Sequence, residues 1–88
     1  MKTWTVINYF DVWGNAKDGW EVNNQCKEFD DLVIADDATN KDICQYLVDR
    51  NLLTTSDMRK LYVEDLGDRI EIYEKKGMKP LFGISLNY

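Results

Sequence analysis

Histidine is missing altogether from this 88-residue chain. With it go the usual general base, the usual zinc ligand and the usual switch of charge near neutral pH. There are only two cysteines, Cys26 and Cys44, and no Cys-x-x-Cys pair, so a thiol redox motif or a thiolate metal knuckle has no sequence basis. The expected role of both is that of small buried hydrophobes, with a single disulfide between them as the alternative. No apolar run approaches the length of a membrane span, and Met1-Lys2-Thr3-Trp4 lacks the apolar run of a secretory signal, which sets the expectation of a cytosolic protein. A covalent nucleophile would need Cys26 or Cys44 activated by a lysine, or an acid pair such as Glu28 and Asp30, and neither has a recognisable spacing. The expectation is a protein that is not an enzyme, with no catalytic residue and no cofactor.

What is present is enough apolar material for one modest core. Hydrophobic residues make up 44% of the chain, with three Trp, five Tyr and three Phe, while 31% is charged. A chain of this size buries roughly two-thirds or less of its unfolded surface, so a single domain spanning residues 1–88 is expected.

The net charge of −5 is unevenly placed. From Asp11 to Asp49 there are ten acids against three lysines, a local balance of −7, whereas residues 50–88 carry seven bases against six acids. An acidic half repels phosphate backbones and anionic membrane surfaces, so neither nucleic acid nor membrane is the expected partner. A basic protein surface is its natural counterpart.

The stretch from Tyr9 to Asn24 reads as a β-hairpin: an aromatic run into Trp13, turn residues over 14–19, and an alternating run that restarts at Trp20. By alternation along Thr3 to Trp13, Trp4, Val6, Phe10 and Val12 share one face, and Thr5, Ile7, Tyr9 and Trp13 the other. Asp11, Asn15, Asp18 and Glu21 supply hard oxygens within this hairpin, but a calcium loop is not matched. Trp13 stands at a ligand position, Ala16 at the required glycine and Val22 at the bidentate glutamate, so no metal site is expected. Trp20 to Cys26 is the second strand, and Phe29 to Ile34 either continues it past a bulge or forms a short third one. The Asp30-Asp31 and Asp36-Asp37 pairs flank the apolar Leu32 to Ala35 as gatekeepers against edge pairing.

A helix follows from Thr39, with Asp42 as the capping-box partner and Asp36, Asp37 and Asp42 at the positive end of its dipole. Ile43 and Leu47, widened by Cys44, Tyr46 and Val48, give it one apolar side. Asn51 suits the left-handed residue that ends it, with Leu52 folding back on Leu47. After a linker over Leu53 to Asp57, where Thr55 to Met58 can form a helical turn, three strands are expected at Arg59 to Glu64, Arg69 to Lys75 and Leu81 to Tyr88.

The predicted architecture is therefore α+β: one small antiparallel sheet of four to five strands in ββ(β)αβββ order, with one helix packed on one face. If the helix covers Val6, Phe10, Ile70, Ile72, Ile84 and Leu86, then Tyr9, Trp13, Tyr62 and Tyr73 remain on the open face. They either form a binding surface or merely cover a solvated sheet through cross-strand pairs, and both readings stand. RNA-recognition sheets also stack bases on open aromatics, but no basic frame surrounds these.

Asp-Val-Trp-Gly-Asn at 11–15 followed by Asp-Gly-Trp-Glu-Val-Asn at 18–23 resembles a signature of short acidic proteins encoded by bacteriophages and prophages. The likeness covers mainly the first hairpin. It implies a phage or mobile-element origin and action on a host protein in the host cytosol, and it carries no activity or site. The partner-binding residues expected on these grounds are Tyr9, Asp11, Trp13, Asp18, Trp20, Glu21, Asp36, Asp37, Tyr62 and Tyr73. The function they suggest is docking on a basic host surface, such as a nucleic-acid-handling defence complex. A homodimer or larger homo-oligomer joined through the aromatic face, acting as a structural or ligand-sequestering protein, is the alternative.

Overall fold

The two apolar periodicities of the chain, two along the strands and 3.6 along the helix, bring their stripes together in one core. The structure, a computed structural model, describes residues 2–54 and 60–87. Strands β1 (Trp4–Asn15) and β2 (Gly19–Leu32) form the long hairpin, helix α1 (Asn40–Asp49) follows, and β3 (Tyr62–Asp65), β4 (Arg69–Tyr73) and β5 (Pro80–Leu86) complete the sheet. The helical turn expected at Thr55 to Met58 lies outside the described residues.

All neighbouring strands are antiparallel, in the spatial order β2-β1-β5-β4-β3. The α+β fold is as the sequence reads, with Phe29 to Leu32 joined to β2 rather than forming a strand of its own. Because β5 pairs with β1, with Val6 opposite Ile84, the hairpin and the β3-β4-β5 meander fuse into one sheet. Pro80 stands at the first position of β5, where a missing N–H is tolerated.

Local sequence chemistry accounts for the helix. Thr39 caps it: its side chain accepts from the Asp42 amide at 3.2 Å, and the Asp42 carboxylate accepts from the Thr39 amide at 3.0 Å. These bonds hold the Asp42 carboxyl below the usual range. At the other end Asn51 takes φ 63°, the Leu52 amide donates to the Leu47 carbonyl at 2.9 Å and the Asn51 amide to that of Val48 at 3.0 Å, the two bonds of a Schellman motif. Ile43 and Leu47 then bury against Val6, Leu32, Ile70, Ile72, Phe82 and Ile84. Arg50 stacks over Phe29 at 4.4 Å and pairs with Asp31 at 3.5 Å, tying the end of the helix to β2.

The hairpin departs from simple alternation. Tyr9 faces Gln25 and Asp11 faces Asn24, which leaves Phe10 as an extra residue on β1; Val12 then faces Val22, which leaves Asn23 extra on β2. A slip of one residue exchanges the faces. Phe10 is therefore not covered by the helix but 61% exposed. Val12 joins the side of Tyr9, and Trp13 passes to the opposite side.

Two further expectations are corrected. β2 stops at Leu32, so Asp36 and Asp37 lie in a turn and flank no strand. Cys44 is buried as expected, but Cys26, opposite Asn8 on the edge strand β2, is exposed. Both thiols are free. Among the described residues no helix is long and apolar enough to cross a membrane.

Candidate functional site: a cleft beneath the hairpin

On the sheet face away from the helix, Tyr9 lies across β5. The β5 residue beneath it is Gly83, where a Cβ would collide with the Tyr9 hydroxyl and ring. Absence of that one carbon lets a tyrosine cross from β1 to β4 in contact with the backbone. The hydroxyl ends beside Arg69 and Glu71, accepting from the Arg69 guanidinium and donating to Glu71 Oε1 at 3.3 Å. Arg69 Nε also donates to Glu71 Oε1, at 2.5 Å. The other carboxylate oxygen, Glu71 Oε2, is buried and takes no hydrogen bond among the described residues. Burial, and after it the Glu71 charge, pushes the Tyr9 hydroxyl up to about 12, so the phenol stays neutral.

The hairpin roofs this group. Its glycines at 14 and 19 have positive φ, and a Cβ at Gly14 would strike the Gly19 carbonyl. Between them Asn15 Oδ1 accepts from the Asp18 amide at 2.7 Å, which closes the turn with a side chain. The bulges place Trp20 and Val22 on the side of Tyr9, where they line a cleft of about 420 Å³ together with Arg69, Glu71 and Tyr73. Tyr62 stands opposite Tyr73 across β3 and β4, ring centroids 5.7 Å apart. Burial and then the Glu64 and Glu71 charges push the Tyr73 hydroxyl up as well.

The residues expected to bind a partner thus divide into separate places. Tyr9, Trp20 and Tyr73 meet in the cleft, with Tyr62 at its neighbour; Tyr9, expected to point outward to solvent, is instead buried at its base. Asp11, Trp13 and Glu21 share the reverse side of the hairpin, because Trp13 faces Glu21 in register and its indole Nε1 donates to Asp11 Oδ1 at 2.6 Å. Trp13 is 64% exposed there. Asp18 sits in the turn. Asp36 lines a second cleft of about 530 Å³ on the helix side, with Trp4, Ile34 and Ile43, and Asp37 is exposed beside it.

Alternation about Ile70 and Ile72 puts Arg69 and Glu71 on this face, but sequence reasoning singled out neither, and it missed Gly83. The signal for the first two was the run Arg-x-Glu-x-Tyr on one face of a short strand. Nothing in sequence ties Gly83 to Tyr9. Among the described residues no group of three or more Cys, Asp or Glu is placed to hold a metal ion. Compared with known protein families, curated proteins and solved structures, this chain matches none.

Proposed function

We propose that this chain is a non-enzymatic binding protein of phage or mobile-element origin that docks on a basic surface of a host protein in the host cytosol. A host complex that handles nucleic acid, in particular one used in anti-phage defence, offers such a surface, and the carboxylates of the hairpin would stand in for phosphates. The observation that carries the reading is the reverse side of the hairpin. There an exposed indole is held by a hydrogen bond to Asp11 and stands opposite Glu21, within a segment whose charge balance is −7. An exposed indole is the kind of anchor that interfaces bury, and carboxylates beside it complement a basic surface.

The thiols support a role without covalent chemistry. Partial desolvation and the Glu28 carboxylate push the Cys26 thiol up, and burial does the same to Cys44, which lowers the thiolate fraction of each.

The test is capture from a bacterial lysate with the full chain as bait. A basic host protein should be retained at low salt and released as salt rises, and the combined Asp11→Asn, Asp18→Asn, Glu21→Gln variant should not retain it. Retention of that protein by the triple variant, or affinity indifferent to salt, would sink the reading. Light scattering addresses the homo-oligomer: a concentration-dependent rise in mass that Tyr62→Ala and Tyr73→Ala abolish would favour it instead.

A further inference from the structure

Glu64 and Glu71 stand directly opposite each other across β3 and β4, on the face that carries the cleft. Like charges in that position repel. Arg69 is the guanidinium that answers them in the cleft, already engaged with Glu71 Oε1 and the Tyr9 hydroxyl. Counted over these three side chains the balance is −1. One acceptor is left over: Glu71 Oε2, buried and without a hydrogen bond among the described residues, in a side chain that keeps 13% of its exposure. A carboxylate oxygen in that state favours any donor that can reach it.

The walls suit a cation as well. Trp20 and Tyr73 flank the cleft and Tyr9 lies at its base, and the faces of aromatic rings attract positive charge, most strongly when water is excluded. The molecule already makes one such contact, with Arg50 over Phe29. The volume of about 420 Å³ is in the lower part of the roughly 300–1,000 Å³ range of ligand pockets, in keeping with one side chain rather than a large ligand.

We infer that this cleft is a seat for a cation, receiving the ammonium or guanidinium of one lysine or arginine side chain of the protein partner between Trp20 and Tyr73, above Glu71. The inference rests on the docking reading, since it takes the source of the cation to be a basic protein surface. That source is favoured because the wall of the cleft is the returning strand of the acidic hairpin. A surface attracted by Asp18, in the turn that leads into β2, arrives with its basic side chains beside Trp20.

The test uses the full chain and four acetylated, amidated tripeptides, Gly-Arg-Gly, Gly-Lys-Gly, Gly-Gln-Gly and Gly-Glu-Gly, followed by the NMR shifts of the Trp20 indole N–H and the Gly19 amide. The arginine or the lysine peptide should shift both resonances and the glutamine peptide neither. Glu71→Gln should weaken binding at least about fivefold, the loss expected when a charged partner becomes neutral. Because Glu71 also anchors Arg69 and Tyr9, Trp20→Ala supplies a second variant that removes a wall and leaves those bonds alone, and it should weaken binding similarly. Trp13→Ala, on the reverse side, should not.

Equal shifts with the glutamine peptide, or no shift with any peptide up to about 10 mM, would overturn the inference. So would a response to a Gly-Glu-Gly peptide alone, which would make Arg69 the binding group. If the peptides fail while capture of the host protein still depends on salt and on Asp11, Asp18 and Glu21, the cation seat falls and the docking reading stands.

Discussion

The same two strands live in different surroundings along their length. Where β1 and β2 run beneath α1, Val6 and Leu32 are buried in a core with Ile43, Leu47 and Ile84. Beyond Tyr9 the hairpin overhangs, and Phe10 and Trp13 are more than half exposed. A strand pair needs a covered face for stability, and the inner half has a fully buried one where the outer half has only the half-buried Trp20 and Val22. The outer half is therefore held by turn chemistry and hydrogen bonds at its surface, such as those from Trp13 and Asn24 to Asp11, and is available for recognition.

The sharpest test of this division lies in the inner half. Leu47 is fully buried, and Leu47→Ala removes apolar contact and leaves a cavity, for an expected loss of about 2–5 kcal/mol. Against a total of about 5–15 kcal/mol that is a large share. Urea denaturation followed by circular dichroism should show the midpoint falling steeply. A loss below about 1 kcal/mol would mean that α1 does not anchor the sheet.

Next in size is the crossing of Tyr9 over Gly83, which joins the two regions. Gly83→Ala puts a methyl group where the phenol lies, and should lower stability by about 1–3 kcal/mol through forced repacking. The same contact gives an alkaline signature. The ordinary pKa of the phenol is 10.0 and in the fold it is about 12, so the folded state keeps its proton where the unfolded state loses it. Stability from this group is complete below pH 10 and is lost as pH rises from 10 towards 12. Tyr9→Phe should make that alkaline decline shallower, leaving the part that the raised Tyr73 hydroxyl contributes, measured as the urea midpoint against pH. An unchanged decline would assign it to another tyrosine.

The division also explains what could be read from sequence. The helix was legible at both ends because caps are local: Thr39 with Asp42, and Asn51 with Leu52, lie within a few residues of each other. The core faces of β4 and β5 were legible because alternation is unbroken from Ile70 to Ile72 and from Phe82 to Ile84. Beyond Tyr9 alternation misleads, because the extra residue at Phe10 exists only in relation to β2 and no feature of β1 alone announces it. Trp13 was therefore assigned to the side of Tyr9, while Trp20 became its neighbour. The cleft was hidden for a related reason. It joins side chains from β1, β2 and β4, and the glycine that makes room for it comes from β5.

The smallest expected effect on stability tests the outer half. Trp13→Ala deletes a large aromatic side chain, and in the inner half such a deletion costs about 3–5 kcal/mol. Here the ring is mostly in solvent, and what is lost is chiefly one exposed hydrogen bond to Asp11, so the urea midpoint should move by no more than about 0.5 kcal/mol. Capture of the basic host protein should nevertheless fall, because an exposed anchor contributes to binding and not to folding. If Trp13→Ala destabilised the chain as much as Leu47→Ala, the hairpin would be a structural prop, and the separation between a folded base and a recognition arm would fail. A neutral effect on stability with a loss of capture would place the two properties in different parts of the same pair of strands.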